Sequence, residues 1–128
     1  MSNVLLIEPD KLLADVYERT LAAAGCTVQR AISAEQAIQA IDAAKPDAVV
    51  ISMELPRHNG VEFLYEFRSY SEWQTIPTIV LTSLLSGELL DNSVLRHQLG
   101  VEAVLIRSQT KAADLVRAVK RLTRSQEA

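Results

Sequence analysis

Ala48-Val49-Val50-Ile51-Ser52 runs into Met53-Glu54-Leu55-Pro56-Arg57-His58-Asn59-Gly60, and this stretch decides the fold. An apolar run without polar alternation describes a strand buried on both faces, as in the interior of a parallel sheet. The Leu55-Pro56 pair and Gly60 then make a turn, after which Val61, Phe63, Leu64 and Phe67 recur at helical spacing. In an open parallel sheet, ligands and chemistry collect outside the carboxyl ends of the strands. Ser52 stands at such an end. An unactivated serine hydroxyl is a poor nucleophile, so what surrounds it matters.

The same alternation extends in both directions. Towards the N-terminus, Val4-Leu5-Leu6-Ile7 is a short apolar run stopped by Glu8-Pro9-Asp10. Leu12, Leu13, Val16, Tyr17, Leu21 and Ala24 follow at helical spacing, closed by Gly25. Cys26 to Ala31 alternates like a strand near a sheet edge. Ser33 and Gln36 then have the spacing of a capping box and open a second helix that ends at Lys45-Pro46. Towards the C-terminus, Ile76-Pro77-Thr78-Ile79-Val80-Leu81 reads as a fourth strand, with Pro77 near its start where a lost donor is tolerated. Residues 84–99 read as a fourth helix closed by Gly100, Val104-Leu105-Ile106 as a fifth strand, and Ala112, Leu115, Val116, Val119 and Leu122 as a fifth helix. Strict alternation argues for an α/β fold, a parallel sheet covered on both sides by right-handed crossovers.

At 128 residues the chain is expected to form a single domain, residues 1–128 with a core from about 3 to 123, and no linker or repeat interrupts it. A net charge of −3 gives no reason to expect nucleic acid. The cations Lys111, Arg117, Lys120, Arg121 and Arg124 read as a solvated helix end that complements the helix dipole. The lone Cys26 rules out an internal disulfide and suits the cytoplasm. No apolar run suggests a membrane span.

With these residues in place, the chain resembles the receiver domain of bacterial response regulators from Val4 to about Leu122. The phosphoacceptor loop is matched by Leu55-Pro56 and Gly60, and the fourth-strand motif by Pro77 to Ser83. The resemblance implies a flavodoxin-like three-layer sandwich with five parallel strands in the order 2-1-3-4-5 and five helices. It also implies a site where strands 1, 3 and 5 end. At that site the departures are concentrated. Family members that accept phosphate have an aspartate where this chain has Ser52, an acidic pair where it has Glu8 and Pro9, and a lysine where it has Arg107. The strand-5 aromatic that often moves with phosphorylation corresponds to Val104, and Thr82 alone keeps its usual form.

Magnesium takes near-octahedral oxygen ligands, usually one or two carboxylates with waters and phosphate. Pro9 offers no side-chain oxygen and Ser52 no charged one, which leaves Glu8, with Asp10 one step farther along. Glu54 falls where the family supplies a backbone carbonyl, and its side chain is expected to face solvent. Arg107 keeps the positive charge and is placed to pair with Glu8, but its planar fork does not replace an ammonium that follows a phosphoryl oxygen. No metal and no cofactor are expected. His58, His97 and Cys26 lack metal-ligand spacing, and Ser52 lacks a nucleophile elbow. Thr82 and Ser83 either steady Ser52 or end a strand; Trp73 either covers a sheet edge or anchors a partner.

The expected function is that of a stand-alone, degenerate receiver in phosphorelay (two-component) signalling. It would act as a protein-interaction module and not as an enzyme, outside the usual aspartyl-phosphate route because of Ser52. Its output would come from contacts with another protein or with itself, through the face of the fourth helix, fifth strand and fifth helix. Leu84, Leu85, Leu89 and Leu90 would be an interaction patch there if exposed, and plain core if buried. Alternatives are an active switch with altered site chemistry, and a small flavodoxin-like ligand binder or enzyme.

Overall fold

The computed structural model describes residues 2–55, 60–83 and 97–127. Strands β1 (Asn3–Ile7), β2 (Thr27–Ala31), β3 (Ala48–Ser52), β4 (Thr78–Thr82) and β5 (Val101–Ile106) form one sheet in the order β2-β1-β3-β4-β5. Every neighbouring pair is parallel. The helices described are α1 (Lys11–Ala23), α2 (Ala34–Ala43), α3 (Gly60–Ser69) and α4 (Ala112–Glu127). This is the flavodoxin-like architecture expected; of the fourth helix expected at 84–99, most lies outside the described residues, and α4 is the helix expected as the fifth.

Each face of the sheet has its own core. Leu5, Ile7, Val49, Ile51 and Val80 pack against α2 through Ala37 and Ile41, and against α3 through Phe63, Leu64 and Phe67. Val4, Leu6, Val50, Ile79 and Leu81 pack on the other face against Tyr17 and Leu21 of α1 and Leu115 and Val119 of α4. The alternation along β1, β3 and β4 is thus apolar on both sides, which is why their sequences show no polar period. β2 and β5 are the edges, and only there do exposed residues interrupt the strands.

Local signals account for several boundaries. Asp10 caps α1: its Oδ1 accepts from the N–H groups of Leu12 and Leu13 at 2.9 and 3.1 Å. Replacing Asp10 with Ala should remove about 1 kcal/mol, read from urea melts, because two end amides lose their acceptor. At the other end of α1, Gly25 adopts φ 96°, its N–H reaching Ala22 O while that of Cys26 reaches Leu21 O. That paired closure needs a left-handed residue, which glycine supplies without steric cost. Ser33 caps α2 through the Gln36 N–H, and Gln36 Oε1 answers by accepting from Ile32 N–H.

Two readings need correction. Leu12 and Val16 were grouped with the apolar face of α1, yet they are 77% and 47% exposed. At about 100° per residue they fall near the side of the helix opposite Tyr17 and Leu21, so one stripe contained two faces. β5 begins at Val101, earlier than the expected Val104: Gly100, at φ 64°, follows helical residues 97–98 and leads directly into the strand, and a register shift opposite Thr78 and Ile79 accommodates the start. Trp73 is 6% exposed and stacks on Phe67, so it covers the core edge.

Candidate functional site

Sheet register brings the carboxyl ends of the strands to one level. Ile7 lies beside Ile51, Ser52 beside Leu81, and Thr82 beside Ile106. The residues that follow each strand therefore meet above the sheet although they are far apart in sequence. Glu8 leaves β1, Ser52 closes β3, Thr82 closes β4 and Arg107 leaves β5.

Three of them, Glu8, Ser52 and Arg107, are joined directly. Arg107 Nη2 donates to Glu8 Oε1 at 2.7 Å and to Ser52 Oγ at 2.5 Å. The second Glu8 oxygen accepts from the Asp10 N–H at 3.1 Å, across the turn that Pro9 makes. Glu8 is 2% exposed and Ser52 fully buried, so this is an ion pair with a buried carboxylate at its centre. Burial pushes the Glu8 carboxyl above its ordinary value; the Asp10 N–H and the Arg107 cation oppose that rise without cancelling it.

Gly60 explains why the turn after Ser52 closes tightly. Its N–H donates to Met53 O at 2.8 Å, and a Cβ there would come within 2.8 Å of Met53 Sδ and 3.0 Å of Met53 Cα. The glycine that ends the deciding stretch is thus a close approach of helix to strand.

Other candidate positions behave differently from one another. Asp10 is used as the α1 cap and as the donor to Glu8. Glu54 was expected to face solvent, but it turns across the strand ends, and its Oε1 accepts from both the N–H and the hydroxyl of Ser83. The cause is adjacency: Glu54 follows β3 and Ser83 follows β4, and the Met53 N–H continues the ladder to Leu81 O. Thr82 is fully buried at the end of β4. Val104 packs towards the α2–α3 side of the sheet. Tyr17, read only as a core residue, lies close enough to feel the charges of Arg107, Glu8 and Asp10. Its position on the helix that starts at Asp10 was the available signal. Cys26 is buried, and burial raises its thiol, so it is not poised as a nucleophile. His97 is exposed, while His58, Leu84, Leu85, Leu89 and Leu90 lie outside the described residues.

A model of the response regulator receiver domain matches residues 4–120. The chain belongs to that family. Among curated relatives of this receiver domain is the transcriptional regulatory protein QseB of Haemophilus influenzae, 31% identical over 103 residues that make up 80% of this chain and 44% of QseB. The KDP operon transcriptional regulatory protein KdpE of Escherichia coli is 28% identical over 83 residues, 65% of this chain and 36% of KdpE. The chain thus spans less than half the length of these relatives. Among solved structures, a CheY-like response regulator receiver domain protein from Methanospirillum hungatei JF-1 superposes with TM-score 0.86 at 22% identity, covering 99% of this chain and 97% of that one. A sensor protein from Polaromonas sp. JS666 gives 0.86 at 22%, covering 97% of both. At such identity these two speak for the fold alone.

Receivers that accept phosphate bind a divalent ion beside an acidic pair, and the residues here do not fit one. Both Glu8 oxygens are engaged, Pro9 has no side-chain oxygen and Ser52 brings no charge. Among the described residues no group of three or more His, Cys, Asp or Glu side chains converges. Hard divalent ions need several anionic or carbonyl oxygens, whereas this cluster is a carboxylate already matched by a guanidinium.

Proposed function

We propose that this receiver is a protein-interaction module of two-component signalling held in a single state, with Ser52 in place of the phosphoacceptor. The observation that carries the reading is the position of Arg107, whose Nη2 serves Glu8 and Ser52 at once. An ammonium that must follow a phosphoryl oxygen needs freedom to move. A guanidinium shared between a buried carboxylate and a serine has given that freedom up. The Glu8–Arg107 pair neutralises itself and, with Ser52, ties the ends of β1, β3 and β5 together.

On this reading the chain works as one domain in the cytoplasm, is not an enzyme, and signals by contact with another protein or a second copy. The face proposed for that contact is formed by the segment 84–99, β5 and α4. No helix among the described residues is long and apolar enough to cross a membrane.

Incubation with a small phosphodonor such as acetyl phosphate and magnesium, followed by intact-mass measurement, is expected to leave the chain unmodified. A phosphorylated species that is labile to hydroxylamine would overturn the proposal, since it would require a carboxylate acceptor that Ser52 does not provide.

A further inference from the structure

Two grooves of opposite charge open on opposite sides of the sheet. The first, of about 560 Å³, runs between α2 and α3, with Ala34, Ile38 and Phe63 as its apolar floor and Glu35, Glu62 and Glu66 on its rim. Glu62 and Glu66 are one turn apart on α3, Glu35 stands in the first turn of α2, and all three residues are exposed. No cation lines this groove among the described residues. The second, of about 450 Å³, lies along α4 and is lined by Val116, Arg117, Lys120 and Arg121. Asp114 pairs with Arg117 on the same helix, an exposed contact too weak to hold the guanidinium against a better partner.

We infer that the acidic α2–α3 groove takes the basic α4 face of a second copy of this chain. Glu35, Glu62 and Glu66 meet Arg117, Lys120 and Arg121, with the aliphatic stems of those cations lying over Ile38. Charge is complementary between two surfaces that every copy carries: a carboxylate-rimmed slot and a cationic helix. Placement decides the symmetry. α2 and α3 cover one face of the sheet, and α1 and α4 cover the other. A pair related by a two-fold axis cannot engage both surfaces of each molecule, so the contact is head to tail and leaves one groove and one helix free at the ends. Association through it therefore grows beyond two, as chains or rings. The α4 half of this contact belongs to the face proposed above, whereas the α2–α3 groove does not.

Sedimentation velocity on the full chain tests the inference. At about 0.01 M salt, where the screening length is about 30 Å, the mean mass should rise with protein concentration and pass that of a dimer. At about 1 M salt, with screening at about 3 Å, association should weaken at least tenfold. The double variant Glu62→Lys with Glu66→Lys and the double variant Arg117→Glu with Lys120→Glu should each stay monomeric. Mixed in equal amounts they should associate again, because each keeps one natural surface, and that recovery also shows that neither reversal has unfolded the protein. A constant monomer mass at low salt would overturn the inference and assign the groove to a cationic segment of a different protein. Association that survives both reversals, or loss in both variants without recovery on mixing, would overturn it equally.

Discussion

Replacing Arg68 with Ala is expected to lower stability by about 4 kcal/mol, which at this chain length lowers Tm by roughly 10 °C or more. Arg68 is the last-turn cation of α3, and its guanidinium is buried enough that desolvation lowers its pKa. It donates to Leu99 O at 2.8 Å, Trp73 O at 2.8 Å, Ile76 O at 2.9 Å, Gly100 O at 3.0 Å and Thr78 Oγ1 at 2.9 Å. One side chain thus joins the end of α3, the turn at Ser71–Trp73, the start of β4 and the entry to β5. Its removal takes that donor from the Leu99 and Gly100 carbonyls, while Trp73 O keeps the Ile76 N–H and Ile76 O the Thr78 hydroxyl; each unmet carbonyl costs about 1–3 kcal/mol before water enters. Arg68→Lys should recover less than half, because an ammonium has three donors and no planar fork. Urea melts of both variants are the measurement. An alanine variant within 1 kcal/mol of the parent would show that these contacts are incidental.

The second large effect concerns Arg107. Arg107→Met should destabilise the fold by about 3 kcal/mol at neutral pH, the lower end of what breaking a buried pair costs, because 19% of the arginine side chain stays accessible. The loss should depend on pH with a definite sign. Burial already holds the Glu8 carboxyl above its ordinary value of 4.5, and removing the cation raises it further, with Asp10 and Glu54 adding to the rise. A carboxyl with a raised folded pKa binds more protons folded than unfolded, so its contribution is most favourable below the unfolded pKa. That contribution is lost as pH rises through the folded pKa. The gap between Arg107→Met and the parent should therefore be widest near pH 7.5 and shrink towards pH 4.5. Adding Glu8→Gln to Arg107→Met should flatten that dependence. Equal losses at both pH values would mean that the arginine acts through packing and not through Glu8.

Most of the fold was legible because its signals are local. The apolar runs of β1, β3 and β4, the Ser33–Gln36 cap and the glycine after α1 are each written within a few residues. Leu12 and Val16 were misread because the span from 12 to 24 holds apolar residues on more than one side, and only the sheet selects which side is buried. The start of β5 was missed because Glu102 interrupts the apolar run, and on an edge strand an exposed residue does not end the pairing. At the site, Glu8, Ser52, Thr82 and Arg107 were picked out through the family resemblance, which assigns positions to strand ends. Glu54 was misjudged because its partner Ser83 lies 29 residues away, and no spacing rule links the two.

Composition and periodicity by themselves determined an alternating α/β chain with buried central strands and an uncharged residue at the carboxyl end of the third. Which groups that residue meets was decided only by tertiary structure. Parallel pairing lines up strand ends separated by 99 residues, so that Glu8 and Arg107 share one buried space. There, charge is governed by desolvation and contact geometry, neither of which a linear order of residues contains.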